Sequence, residues 1–208
     1  MGILHGETMS VMTLSQVRRT KEIKKRGRFA VPKFCGWPNL AKFVDKCKTQ
    51  EVAALFAVLF ETGCRISEAL MLHKDMFIID DEEWLTVYRA PVLKKKVNAS
   101  IGDRFRNIPI LRSELLVEPM MDYLKTVDGP LFTKTRQWAW YNIVTTDEAW
   151  WCHRIRSERA TQLHVEYGYE VPELMKFFNW SEPKEALEYV KLDPQDLKDK
   201  VTKARNII

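Results

Sequence analysis

The chain has 208 residues, 46% of them hydrophobic, and carries a net charge of +5. That length suits one well-buried domain with an appendage rather than two full domains, and charged residues interrupt every apolar run before it reaches the length of a membrane span. Cys35, Cys47, Cys64 and Cys152 form no C-x-x-C pair and read as reduced thiols, so no disulfide framework, metal site or redox cofactor is expected.

The opening MGILHGETMS lacks a basic region followed by an apolar core and cleavage site, so the expected location is the cytoplasm. Residues 1–33 concentrate the positive charge, with eight Lys or Arg against Glu7 and Glu22, and leave the rest of the chain near neutral. Apart from a short helix at Thr13–Lys25, they read as a basic arm suited to following a polyanion by counterion release.

Leu40–Lys48 and Glu51–Glu61 have helical periodicity, and the second is apolar nearly all round, as a core helix is. Gly63 allows a tight break after it, and Ser67–Leu72 resumes as helix. Arg65 therefore emerges from a rigid base, either as an anion ligand or as a structural arginine paired with Glu68. The period then changes to two. Met76–Ile79, Trp84–Tyr88 and Phe105–Leu111 read as a small antiparallel sheet, with Asp80–Glu83 as the first turn and Pro109 on an edge strand. Lys94, Lys95 and Lys96 in the second hairpin, with Arg104 and Arg106 beyond it, form a basic patch.

Ser113–Lys125 reads as an amphipathic helix and Gly129-Pro130 as a turn. Trp138, Trp140, Tyr141, Trp150 and Trp151 suit either base stacking or core filling, and core is the better reading. From His153 the chain is helical again, with Ile155, Ala160, Leu163 and Val165 for a buried face, and His153 and Arg156 are spaced to share one side. Tyr167, Gly168 and Tyr169 mark its stop. Ser181 can cap, and Pro183 open, a short helix that carries Tyr189 near its end. Asp193 and Pro194 begin a last polar helix to Lys203, whose thin apolar stripe calls for a partner surface.

A His-x-x-Arg pair alone is more often a solvated or ion-paired face. Here it follows Glu61-Thr62-Gly63-Cys64-Arg65-Ile66-Ser67-Glu68 and precedes Trp180, with Tyr189 nine residues further on. In that order these residues resemble the tyrosine recombinase (phage integrase) family over about Pro38–Leu192. The resemblance implies an α+β, mostly helical catalytic domain with a small three-stranded antiparallel sheet at 38–192, an arm at 1–37 and a helical tail at 193–208.

It also implies site-specific recombination or integration of double-stranded DNA, in a prokaryotic cell or its virus or plasmid, without cofactor or metal. Tyr189 would form a 3′-phosphotyrosine, Arg65 and Arg156 would clamp the phosphate, and His153 and Trp180 would assist, with Glu68 behind them. A hairpin lysine would protonate the leaving oxygen. Counting from the preceding strand gives Lys94 and counting back from Ile108-Pro109-Ile110 gives Lys96; Lys94 is taken. Lys95, Lys96, Arg104 and Arg106 would contact DNA, and the tail would join protomers into a dimer on a site and a tetramer in synapsis.

Trp180 stands where many members have histidine and Ser157 where histidine or lysine is frequent. Only the arm precedes the catalytic portion, where most relatives place a helical clamping domain. The alternatives are a non-catalytic DNA-binding accessory or regulatory protein of the same fold and a relaxing, topoisomerase-like enzyme.

Overall fold

The computed structural model of the chain describes residues 33–93, 100–190 and Thr202. The expected arm up to residue 32, Lys94–Lys96 and the last helix apart from Thr202 lie outside the described residues, and the final residue of the expected arm, Trp37, opens the first helix.

The body is built around one helix. After α1 (Trp37–Asp45) comes α2 (Gln50–Thr62), capped by the Thr49 hydroxyl, which accepts from the Val52 N–H at 3.3 Å. Every residue of α2 from Val52 to Thr62 is buried, as the apolar run Val52–Phe60 requires, and Glu61 and Thr62 are buried with it. It packs against α4 (Val117–Thr126), α5 (Arg136–Thr146) and α6 (Cys152–Val165). The one-turn α3 (Ile66–Ala69) follows α2 directly, and α7 (Val171–Phe178) and α8 (Pro183–Leu187) close the described body. Among the described residues no helix is long and apolar enough to cross a membrane.

β1 (Phe77–Ile79), β2 (Trp84–Pro91) and β3 (Phe105–Leu111) form an antiparallel sheet in the order β1-β2-β3. The Asp81 carboxylate makes the first turn by accepting from the N–H groups of Glu83 and Trp84 at 2.8 and 2.7 Å. Leu85 pairs with Ile110 and Val87 with Ile108, so period-two alternation buries these four side chains together. Pro109 lies on the outer strand opposite Thr86, where its missing N–H costs no ladder bond on the free edge. β2 runs three residues past the expected Tyr88 because the register shifts between Val87 and Ala90. Arg89 sits there at φ 52°, its N–H donating to the Asn107 side chain at 3.0 Å.

Several expectations change. α4 begins at Val117 rather than Ser113, because residues 113–116 form turns in which Glu114 reaches inward to Arg159. Residues 136–146, read only as an aromatic run, form α5 with the Thr135 hydroxyl as its cap. Trp150 is core, but Trp140 and Tyr141 are 44% and 47% exposed, because α5 turns Ala139, Ile143 and Val144 inward instead. Val165 is exposed at the end of α6 rather than part of its buried face.

Beneath the helices lies an ionic network that sequence reading did not find. Arg159 is 1% exposed and ion-paired to Glu61 at 3.3 Å and to Glu114, with Gln162 accepting a hydrogen bond at 2.7 Å. Two carboxylates share one guanidinium. Burial, with the neighbouring Glu114, pushes the Glu61 carboxyl well above the usual range against the pull of Arg159.

α2 ends in a left-handed residue, Gly63 at φ 57°. A Cβ there would lie 2.3 Å from Cε1 of the buried Phe178 ring, so both the backbone conformation and the close approach require glycine. Gly63→Ala should therefore destabilise the fold by about 3 kcal/mol or more, a fall in Tm of roughly 6–12 °C by circular dichroism. Gly168→Ala, also left-handed at φ 70° but facing open space, should cost only about 1–2 kcal/mol.

Candidate active site

The break at Gly63 puts Arg65 at the start of α3, with its side chain 30% exposed. Glu68, buried one turn on, accepts from the Arg65 backbone N–H at 2.8 Å and from its Nη1 at 3.0 Å. Both readings of Arg65 thus hold in part: it is ion-paired, and its outer side faces a cleft. Glu68 Oε1 also accepts from the Leu93 N–H at 3.3 Å. One carboxylate therefore ties Arg65 to the residue just before Lys94.

Arg156 comes from α6 and is 4% exposed. Its Nη1 donates to the Gly63 carbonyl and its Nη2 to the Phe178 carbonyl at 3.3 Å, so it bridges the end of α2 and the end of α7. Its guanidinium also lies over the Phe178 ring at 4.7 Å. Burial first, then the like charges of Arg106 and Arg65, lower its pKa to about 9. A guanidinium has five N–H groups. Two are committed to these carbonyls.

Arg106 does not belong to the exposed patch. It is 7% exposed and donates to the Phe177 and Thr62 carbonyls, the latter at 3.1 Å, and to Cys64 Sγ at 3.4 Å. The period of β3 carried this signal, since Arg106 alternates with Ile108 and Ile110 on the inward face. Arg104 is exposed. Its carbonyl accepts from the Val92 N–H at 2.8 Å and closes the hairpin base.

His153, in the first turn of α6, is exposed and shares with Arg65 and Arg156 a cleft of about 730 Å³. Arg136, Gln137 and Trp140 of α5, with Trp151 and Cys152, also line it; of these the sequence marked only Trp140 and Trp151, and favoured the core for both.

Trp180 is 8% exposed and stacked between two rings, Phe178 at 4.5 Å and Tyr189 at 5.5 Å, the latter with planes only 6° apart. α8 begins after Glu182 rather than a Ser181 cap and ends at Leu187. Tyr189 therefore lies just past the helix, its N–H donating to the Ala186 carbonyl at 2.9 Å. Its hydroxyl lies 3.2 Å from Ser157 Oγ, one residue beyond Arg156. Burial raises its pKa, against the lowering pull of Ser157 and Arg156. The structure thus gathers Arg65, His153 and Arg156 around one cleft and hangs Tyr189 on the same α6 helix that carries two of them.

No protein-family model and no curated protein matches the sequence. Solved structures do match. The chain is similar to the XerH site-specific recombinase bound to difH substrate, at TM-score 0.60 and 18% identity over 83% of this chain and 54% of that one. It is similar to the Tn1549 transposon integrase in complex with transposon right end DNA, at TM-score 0.59 and 14% identity over 84% of this chain and 67% of that one. It is also similar to the catalytic domain of bacteriophage HP1 integrase, at TM-score 0.53 and 15% identity over 81% of this chain and 93% of that one. The helical body with its three-stranded sheet is the fold of the tyrosine recombinase catalytic domain. The chain spans about half the length of the XerH chain.

Tyr189 provides a spectroscopic test of this arrangement. Because burial holds its phenol above the ordinary value of 10.0, the unfolded chain ionises first as pH rises, and the stability that depends on the neutral phenol is lost from about pH 10 upward. The difference ultraviolet titration between the protein and Tyr189→Phe should show one phenol titrating above pH 10. A normal titration would place the hydroxyl in water.

Proposed function

We propose that the protein cleaves and rejoins double-stranded DNA as a site-specific recombinase or integrase, with Tyr189 as nucleophile. One observation carries this reading: two arginines and a histidine line one cleft, and a tyrosine hydroxyl is held on the helix that bears the second arginine. Transfer at a phosphodiester needs a nucleophile, compensation for charge on the non-bridging oxygens, and a proton for the departing oxygen. Tyr189 Oη gives its proton to solvent water and attacks phosphorus; the new O–P bond forms as the bond from phosphorus to the 5′ oxygen breaks, and the energy of that bond is kept in a 3′-phosphotyrosine.

Arg65 and the uncommitted N–H groups of Arg156 bind the two non-bridging oxygens, for which a planar guanidinium fork, charged at neutral pH, is well shaped. Arg106 holds the backbone on which that pair stands. Lys94 protonates the leaving oxygen, and the arginines supply the charge that a metal would otherwise provide. His153 hydrogen-bonds the phosphate from the rim of the cleft. Trp180 fixes the plane of the nucleophile, since an indole donates one N–H and cannot shuttle protons.

Arg136 and Trp140, with Lys95, Lys96 and Arg104, contact neighbouring nucleotides. The arm of residues 1–37 adds affinity without sequence preference, and the tail of 193–208 joins protomers into the dimer and tetramer that exchange requires.

On a nicked cognate site that traps the covalent state, the protein should form a denaturant-resistant adduct with DNA. Tyr189→Phe should bind equally but form none, while Tyr167→Phe and Tyr169→Phe still do. Tight binding with no adduct from the parent protein would establish a non-catalytic DNA-binding protein instead; an adduct without strand exchange in paired complexes would indicate a relaxing enzyme.

Arg65→Lys and Arg156→Lys should each slow adduct formation by roughly two orders of magnitude or more, the scale for losing a transition-state donor, with little change in binding. A lysine variant that reacts at the parental rate would remove that arginine from the chemistry.

A further inference from the structure

Ser157 lies on α6 directly after Arg156, half-buried, with its Oγ between two oxygens. Its hydroxyl donates to the His153 carbonyl one turn back at 3.0 Å, and Tyr189 Oη lies 3.2 Å away on the other side. A serine hydroxyl has one proton and two lone pairs. While that proton points to His153, Tyr189 must be the donor, so its O–H is aimed at Ser157.

We infer that Ser157 is a positioning residue for the nucleophile: it holds the Tyr189 hydroxyl as an acceptor in the neutral state and as a donor once the phenolate forms. The inference rests on Tyr189 being the nucleophile. Rotation of one hydroxyl converts the first arrangement into the second without moving a heavy atom. The bond given up is the back-bond to His153, of a kind that slightly destabilises helices. The bond gained is charge-assisted and therefore stronger.

At 3.2 Å the resting contact is long for two hydroxyls, so it fixes position more than it holds the tyrosine shut, and it can shorten when charge develops. Ser157 neither accepts nor keeps the phenol proton.

Two restraints of different kind then act on one side chain. The stacked Trp180 indole sets the plane of the ring, and Ser157 sets where along that plane the oxygen lies. The groups facing the phenol agree with this division. Arg156 and Ser157 favour the phenolate from α6, while Glu185 and Glu188, on α8 and at its end, oppose it. Among these, Ser157 is the one that touches the oxygen.

The full chain with Ser157→Ala or Ser157→Thr tests this in two independent readouts. The first is the Tyr189 phenol, isolated as the ultraviolet difference titration between each variant and its Tyr189→Phe counterpart, without DNA. Ser157→Ala should raise the midpoint by about one pH unit, the scale of one lost hydrogen bond to a charged group, and Ser157→Thr, which keeps the hydroxyl, should restore it. The second is single-turnover adduct formation on the nicked site. There Ser157→Ala should be slower by about tenfold at neutral pH, with its rising alkaline limb displaced by the same unit, and Ser157→Thr should be near parental.

An alanine variant with parental titration, or a threonine variant as impaired as alanine in both readouts, would overturn the inference, the latter by showing that Ser157 acts through its volume. If the parent forms no adduct, the proposed reaction fails while the titration still decides whether Ser157 governs the phenol.

Discussion

The contact between Gly63 and Phe178 is the constraint on which the site depends. The end of α2 and the end of α7 can come this close only because one of them has no side chain. Their carbonyls then converge on a single guanidinium, Arg156, which donates to both. The same Phe178 stacks on Trp180, and Trp180 on Tyr189, so the placement of the nucleophile candidate traces back through three rings to a glycine turn. Arg106 repeats the pattern one residue away, tying Thr62 to Phe177. Two arginines therefore fasten two helix ends by their main chain, which positions them whatever the neighbouring side chains do.

This construction concentrates charge of one sign. Arg65, Arg106 and Arg156 lie near enough that the first two depress the pKa of the third, and Glu68 is the carboxylate that answers them. Buried cations satisfied by carbonyl oxygens keep their hydrogen bonds but not their charge balance. Such a cluster is a standing preference for an anion, present before any ligand arrives, and preorganisation of this kind favours charge that develops during a reaction. The network around Arg159 is the opposite case, where two carboxylates compete for one guanidinium in a region closed to solvent. One helix, α6, carries both arrangements, three residues apart.

Much of this was legible in the chain. The largely apolar α2, the glycine break and the period-two strands marked the body because these signals are local, and the resemblance of Arg65, His153, Arg156, Trp180 and Tyr189, in that order, to the tyrosine recombinase signature pointed to the candidate site. What escaped were properties that depend on partners distant in sequence. Glu114 shortens α4 by reaching Arg159, 45 residues on. The tryptophans of α5 could not be sorted into buried and exposed without knowing which face α2 would cover. Arg106 was mistaken for surface charge although its alternation with Ile108 and Ile110 pointed inward; the basic context outweighed the period. Ser157, marked as a departure of unknown consequence, acquired a meaning only when α8 brought Tyr189 back across 32 residues.

The bulge at Arg89 has a consequence for how proteins of this architecture diverge. The pairs that bury the sheet, Leu85 with Ile110 and Val87 with Ile108, lie on one side of the register shift, and the hairpin that closes at Val92 and Arg104 lies on the other. Residues inserted or deleted between those closing positions leave the alternation of the core strands intact, because the irregular step has already separated the two registers. A change in the length of the hairpin, and so in its reach toward a ligand, therefore costs only the slowly growing entropy of closing a longer loop and leaves the core pairing as it is.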